Sequence, residues 1–179
     1  MKLLNLFKLV SLSASVLVVT TPAASLPENG TYYIWNSENK AVMDNKDGII
    51  AFGNPIIGWN YQQPVRPQQQ VIVKYTSDNT ATLQILEIAQ VAPQLGGYIN
   101  IYDGYVVLGQ EPQKWTIEPV SGQLGNYYIV QNQAAIRYSK QAATDGDEFQ
   151  LTISNIAEAN SGAYWQFNTP YDMDKVVSA

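Results

Sequence analysis

The chain contains neither cysteine nor histidine in its 179 residues. Without cysteine there is no disulfide, no thiolate nucleophile and no zinc-thiolate site. Without histidine the Ser-His-Asp and Cys-His mechanisms disappear, together with the usual imidazole-ligated metal centres. Charge is also scarce: Asp, Glu, Lys and Arg make up 14% of the residues against 46% hydrophobic ones, a balance that folds rather than staying disordered. The leader's apolar or small run without a charge, Leu9 to Val19, is too short for a comfortable transmembrane helix. Lys2 and Lys8 flank that stretch and small residues follow from Thr20 to Ser25, which is the pattern of a secretory signal peptide over residues 1–25, cleaved near Ala23 or Ser25. The rival reading of the same stretch is an uncleaved signal anchor. A secreted, extracellular chain is the expectation. Losing a leader with two lysines and no acid takes the net charge from −5 to −7. An acidic surface of this kind disfavours nucleic acid and anionic membranes as partners.

What the chain does have is an internal repeat, which is sought before fold is argued. Gly30-Thr31-Tyr32-Tyr33-Ile34 recurs as Gly125-Asn126-Tyr127-Tyr128-Ile129, and a weaker copy is Ala81-Thr82-Leu83-Gln84-Ile85, with Ile85 read in the register of Ile34 and Ile129. A closing unit alternates with these openers, as Pro67-Gln68-Gln69-Gln70-Val71, Pro112-Gln113-Lys114-Trp115 and Ala163-Tyr164-Trp165. Short runs rich in aromatic and β-branched residues, separated by turn signals, predict strands. In the first repeat these are Tyr32 to Trp35, Lys40 to Asp44, Ile49 to Phe52 and Val71 to Tyr75, with a tight turn at Asn45-Lys46-Asp47-Gly48 and a proline-rich loop from Asn54 to Gln70. The second has Thr82 to Glu87, Tyr98 to Tyr102, Val106 to Leu108 and Trp115 to Glu118, with Asp103-Gly104 at the same hairpin position. The third has Tyr127 to Gln131, Ala135 to Tyr138, Phe149 to Ile153 and Trp165 to Phe167, around a longer hairpin loop from Ser139 to Glu148. No sustained helical periodicity occurs outside the leader, so residues 26–170 read as one all-β domain of twelve strands in three four-stranded repeats, and 171–179 as a patternless, fraying tail.

Three four-stranded repeats, each ending in a Gln-x-Trp-like element (Gln113-Lys114-Trp115 best), look like a β-trefoil. The Gly-Thr-Tyr-Tyr-Ile, Trp-Thr-Ile-Glu-Pro and Gly-Asn-Tyr-Tyr-Ile segments resemble the fungal cospin-like β-trefoil serine protease inhibitors, a likeness that covers Gly30 to Phe167. That resemblance implies a secreted, monomeric inhibitor that needs no cofactor and inserts one preorganised exposed loop into a trypsin-like serine protease. The matching loop holds Asn45, Lys46 and Asp47, with Lys46 as the specificity residue; the second candidate loop holds Trp59, Arg66 and Pro67, and Arg137 and Lys140 rank behind them.

The alternative is a carbohydrate-binding, ricin-B-like lectin, because that family shares the Gln-x-Trp element and pairs an acid with a stacking aromatic. Asp44, Asp103 with Tyr105, and Asp145 or Asp147 could take those roles, and Trp59, the one tryptophan in a predicted loop, could stack on a sugar. An enzyme is not expected. Only carboxylate chemistry remains open, glycoside hydrolysis needs two acids across a bond, and the single cluster, Asp145, Asp147 and Glu148, reads as a solvated loop face rather than a metal site. Asn29-Gly30-Thr31 is an N-glycosylation sequon.

Overall fold

The computed structural model describes residues 25–138 and 149–177. The leader, Lys140, Asp145, Asp147 and Glu148 lie outside the described residues. The described residues form twelve strands. The first repeat supplies β1 (Gly30–Asn36), β2 (Ala41–Asn45), β3 (Ile56–Trp59) and β4 (Val71–Tyr75). The second supplies β5 (Ala81–Ile85), β6 (Tyr98–Tyr102), β7 (Tyr105–Gly109) and β8 (Thr116–Pro119). The third supplies β9 (Tyr127–Gln131), β10 (Ala134–Tyr138), β11 (Phe149–Asn155) and β12 (Gln166–Asn168). Among the described residues two short α-helices are added, α1 (Leu86–Val91) and α2 (Pro170–Val177).

The first and last strands of each repeat make a closed ring. β1 pairs β4, β4 pairs β5, β8 pairs β9 and β12 pairs β1, while the bridges Ala81↔Trp115 and Tyr127↔Trp165 join β5 to β8 and β9 to β12. Closure removes the unpaired edges that would otherwise template association. The middle strands form hairpins β2–β3, β6–β7 and β10–β11, which meet one another through β3–β11, β7–β11 and the Pro55↔Val107 bridge. Alternation drives the packing: in β5 Ala81, Leu83 and Ile85 are buried while Thr82 and Gln84 are half-buried. Trp115 and Trp165 are fully buried in the central core. Their indole Nε1 atoms donate to the carbonyls of Ile99 (3.0 Å) and Ile136 (2.9 Å), so these large side chains leave no polar atom stranded.

Four sequence expectations are corrected. Ile49 to Phe52 is not a strand; Lys46–Gly48 is a 3-10 turn with Asp47 at φ 58 and Gly48 at φ 63, and Ile49 and Phe52 point to solvent. The third strand is β3 instead, inside the expected loop, where Pro55 precedes the strand and so withholds no ladder donor within it. The connection is therefore long, unlike the two-residue turn at Asp103-Gly104, where φ values of 50 and 81 close a tight hairpin. In the second repeat the strand ends at Ile85, and α1 follows with Ile88 buried, stopped by Pro93; six residues are too few to show helical periodicity. Finally, residues 170–177 form a packed helix instead of a patternless tail: α2 seats a fully buried Met173 against Tyr33, Trp35 and Val42.

The third correction concerns register as well. Tyr32↔Val71, Ala81↔Trp115 and Tyr127↔Trp165 are the matching opener–closer pairs, so Leu83, not Ile85, corresponds to Ile34 and Ile129. Among the described residues no helix is long and apolar enough to cross a membrane.

Candidate functional site

The corrected register allows the three hairpins to be compared position by position. The residue after each opener pairs with Val42, Tyr98 or Ala135 (Trp35↔Val42, Gln84↔Tyr98, Val130↔Ala135). Two residues further along the same strand face lie Asp44, Asn100 and Arg137. Across the hairpin, Asp44, Asn100 and Arg137 face Ile57, Val107 and Thr152, and Val42, Tyr98 and Ala135 face Trp59, Gly109 and Ser154. The 3-10 turns or loops before the closers contribute Gln68 and Gln69, Pro112 and Gln113, and Gly162 and Ala163. One scaffold therefore presents three equivalent outward positions with different chemistry.

The first repeat builds a cleft of about 320 Å³ there, within the range of small-molecule sites. Ile57 and Trp59 form its apolar wall, Asp44, Asp47 and Arg66 supply charge, and Gln62 and Gln68 bring side-chain amides. Asp44 lies at the bottom, only 2% exposed. Gln69 Nε2 donates to Asp44 Oδ2 at 2.7 Å and to the Asn60 carbonyl at 2.9 Å, and Gln68 Nε2 donates to Asp44 Oδ1 at 3.3 Å. Gln69 Oε1 in turn accepts from the backbone N–H of Gln62 at 3.1 Å, which ties the wall after β3 to the 3-10 turn Pro67–Gln69. Burial pushes the Asp44 carboxyl up to about 6, and Asp47 adds to the rise; the Gln69 and Gln68 donors and the nearby Arg66 pull against it without cancelling it.

That shift has a sign that can be tested. The folded state holds its proton more tightly than the unfolded chain, whose value is near 3.8, so stability is greatest below that value and falls as pH rises through about 6. Asp44→Asn is expected to remove this slope, which amounts to roughly 1–3 kcal/mol between the two limits. Urea unfolding at pH 4 and pH 7 measures it, and equal slopes in both proteins would disprove the assignment.

The other repeats do not rebuild the cleft. In the second, a Cβ at Gly109 would lie 2.0 Å from Asn100 Nδ2, so the Asn100 amide already occupies the place of an indole, held by its bond to the Glu111 carbonyl at 3.1 Å. Asp103 and Tyr105, proposed from sequence as a sugar-binding pair, sit at the hairpin tip, both exposed and away from the equivalent position. A smaller cleft of about 110 Å³ between the Ile50–Phe52 segment and α1 is lined almost wholly by apolar groups and offers little directional chemistry.

The loop residues named from sequence fall in different environments. Asn45 is fully buried: its Nδ2 donates to the Ile49 carbonyl (3.2 Å) and its Oδ1 accepts from Asn54 Nδ2 (2.7 Å), so it cannot meet a partner. Lys46 is half-buried and its carbonyl accepts from Ile49 N–H at 3.2 Å, giving a coiled turn instead of the extended backbone that a protease cleft receives. Asp47 is exposed. Trp59 is on a strand, not in a loop, and half-buried; Arg66 is exposed and extended (φ −106, ψ 115), with Pro67 opening the turn after it. Trp59, Arg66, Asp44 and Asp47 share the one cleft, although sequence reasoning had divided them between two loops and two functions. Gln62, Gln68 and Gln69 were missed, yet the Gln-x-Val closer at Gln69 carried the signal. Asn29 is exposed, and its Oδ1 accepts from Tyr75 N–H at 2.7 Å, a bond that leaves Nδ2, the atom a glycan would take, uninvolved. No group of three acidic side chains among the described residues is placed to hold a metal ion.

No protein-family model matches the sequence, and no curated protein matches it by sequence. Solved structures do match by shape. The Rhizoctonia solani agglutinin aligns over 82% of this chain and 98% of its own at TM-score 0.61 and 20% identity. The Macrolepiota procera ricin B-like lectin, solved in complex with lactose, aligns over 82% and 100% at TM-score 0.62 and 18% identity. The designed threefold-symmetric protein ThreeFoil aligns over 78% and 98% at TM-score 0.62 and 13% identity. At such identities the likeness speaks to architecture, and with the closed ring, its three hairpins and the matched registers it makes this chain a β-trefoil.

Proposed function

We propose that this chain is a secreted carbohydrate-binding protein, a binder rather than an enzyme, whose saccharide site is the cleft of the first repeat. The observation that carries the reading is the convergence of an acid and an indole, Asp44 and Trp59, at one outward position of a trefoil hairpin. A pyranose has a polar rim of hydroxyls and an apolar C–H face. Ionised Asp44 accepts hydroxyl hydrogen bonds and Trp59 offers a broad apolar surface, while Gln68 and Gln62 supply amide donors and acceptors at the rim. The trefoil architecture shared with lectins supports the same reading.

A glycan screen followed by calorimetry tests it. Trp59→Ala and Asp44→Ala are each expected to weaken the best neutral saccharide at least tenfold, about 1.4 kcal/mol. Affinity should also fall as pH drops below about 6, where Asp44 takes up its proton. Unchanged affinity in both variants would sink the assignment.

A second reading, inhibition of a trypsin-like protease, is favoured by one observation: Arg66 is exposed on extended backbone, with Pro67 at the position that would follow the scissile bond. Residual trypsin activity in the presence of the wild type and of Arg66→Ala distinguishes it, since loss of inhibition in the variant alone would support it and no inhibition by either would end it.

A further inference from the structure

The outward position of the third repeat inverts the chemistry of the first. Arg137 stands where Asp44 stands, Thr152 where Ile57 stands and Ser154 where Trp59 stands, by strand registers that match pair for pair. The glutamines that donate to Asp44 are replaced as well: Gly162 and Ala163 take the places of Gln68 and Gln69. The stem of Arg137 runs beside this stripped turn, its Cγ 3.8 Å from where a Cβ on Gly162 would lie. Neither Gly162 nor Ala163 has a side chain that could reach the guanidinium.

Of the seven buried side-chain polar atoms without a partner among the described residues, two belong to this position. Arg137 Nε and Ser154 Oγ are both shielded from solvent and neither has a hydrogen-bond partner among the described residues. Orphaned buried donors are uncommon in folded proteins and costly. Arg137 offers only donors, arranged as a planar fork that suits two oxygens of one anionic group; Ser154 and Thr152 add hydroxyls. A neutral sugar rim would leave the charge uncompensated, whereas a carboxylate or sulfate answers both the charge and the fork.

We infer that the third repeat carries a second site, distinct from the Trp59 cleft, that takes the oxyanion of an acidic saccharide through Arg137 and Ser154. The oxyanion part stands on the geometry of this repeat alone; that a saccharide carries it rests on the carbohydrate reading above.

The two parts separate experimentally. Sodium sulfate is titrated into ¹⁵N-labelled protein while the Arg137 Nε–H resonance is followed, and methyl glucuronide, a sulfated galactoside and their neutral counterparts are then compared by calorimetry. The Nε–H signal is expected to shift saturably with sulfate. Arg137→Gln is expected to weaken both acidic glycosides at least tenfold and leave neutral ones unchanged, with Ser154→Ala giving a smaller loss and Arg137→Lys failing to restore the fork. Loss confined to the carboxylate or to the sulfate probe would support the site and name its anion. If Arg137→Gln does not fold, Ser154→Ala and Arg137→Lys carry the same comparison. A saturable sulfate shift without glycoside binding would retain the anion site and overturn its saccharide. Absence of any shift, or a preference for acidic glycosides abolished by Trp59→Ala instead of Arg137→Gln, would overturn the inference.

Discussion

Trp165→Ala is expected to destabilise the protein by about 3–5 kcal/mol, and Trp115→Ala by a similar amount. Both side chains are fully buried in the central cluster, where neighbours close-packed around an indole cannot collapse into the space it leaves. Each substitution also strips a donor from a buried carbonyl, that of Ile136 for Trp165 and that of Ile99 for Trp115. Trp165 and Trp115 further sit in the backbone bridges that complete the ring, Tyr127↔Trp165 and Ala81↔Trp115. The corresponding closer in the first repeat is Val71, also fully buried, so the ring tolerates a smaller residue only where the surrounding side chains are already built for it. In a domain of this size the loss corresponds to a melting temperature lowered by roughly 6–20 °C. Chemical denaturation gives the free energy directly; a change below about 1 kcal/mol in either variant would mean that the core repacks, contrary to the argument from close packing.

The second large effect is expected from the C-terminal helix. Met173→Ala is expected to cost about 2–4 kcal/mol, in the range for an apolar side chain removed from a buried site. Met173 closes a satellite cluster with Tyr33, Trp35 and Val42 on the outer face of β1 and β2. Its neighbour Asp174 reaches in another direction: Tyr61 Oη donates to Asp174 Oδ1 at 3.2 Å and Gln63 Nε2 donates to it at 3.0 Å. Those contacts hold the segment that leads from Trp59 through Gln62 to Arg66, so the helix supports the wall of the first-repeat cleft. Loosening it should weaken saccharide affinity severalfold in Met173→Ala although no ligand-facing group is changed. Stability and affinity measured on the same variant check both halves; full stability with Met173 gone would show that α2 merely rests on the surface.

The architecture was readable because its signals are repeated. Gly-x-Tyr-Tyr-Ile at two openers and the Trp closers recur at positions where every copy must bury an apolar side chain against the same axis, and repetition makes such a pattern visible. The misread parts lack that redundancy. Ile49 to Phe52 has the composition of a strand, but Asp47 and Gly48 turn the chain before it can pair, and the partner of β2 starts beyond Pro55. The two-residue slip to Ile85 arose because Leu83 and Ile85 are both buried apolar residues on one strand face, and only the pairing of Ala81 with Trp115 chooses between them. For the C-terminal helix a local signal did exist. Thr169 Oγ1 caps the first turn, donating to Asp172 Oδ2 at 2.6 Å and accepting from Asp172 N–H at 3.3 Å, and Pro170 follows at the position where proline is tolerated. The site was half legible. Asp44 and Trp59 were each noticed, but their meeting depends on β3 lying opposite β2, which is a fact of pairing between residues fifteen positions apart and not of local composition.

The unequal chemistry of the three hairpins also bears on how many neutral-sugar sites one chain would carry. Agglutinating proteins bridge cells by offering the same sugar site more than once, and avidity grows with each copy. Here the acid and indole meet once: a glycine takes the indole's place in the second repeat and a serine does so in the third. If the first-repeat cleft takes a neutral sugar, one chain would cover a single such sugar on a surface and would not crosslink two of them.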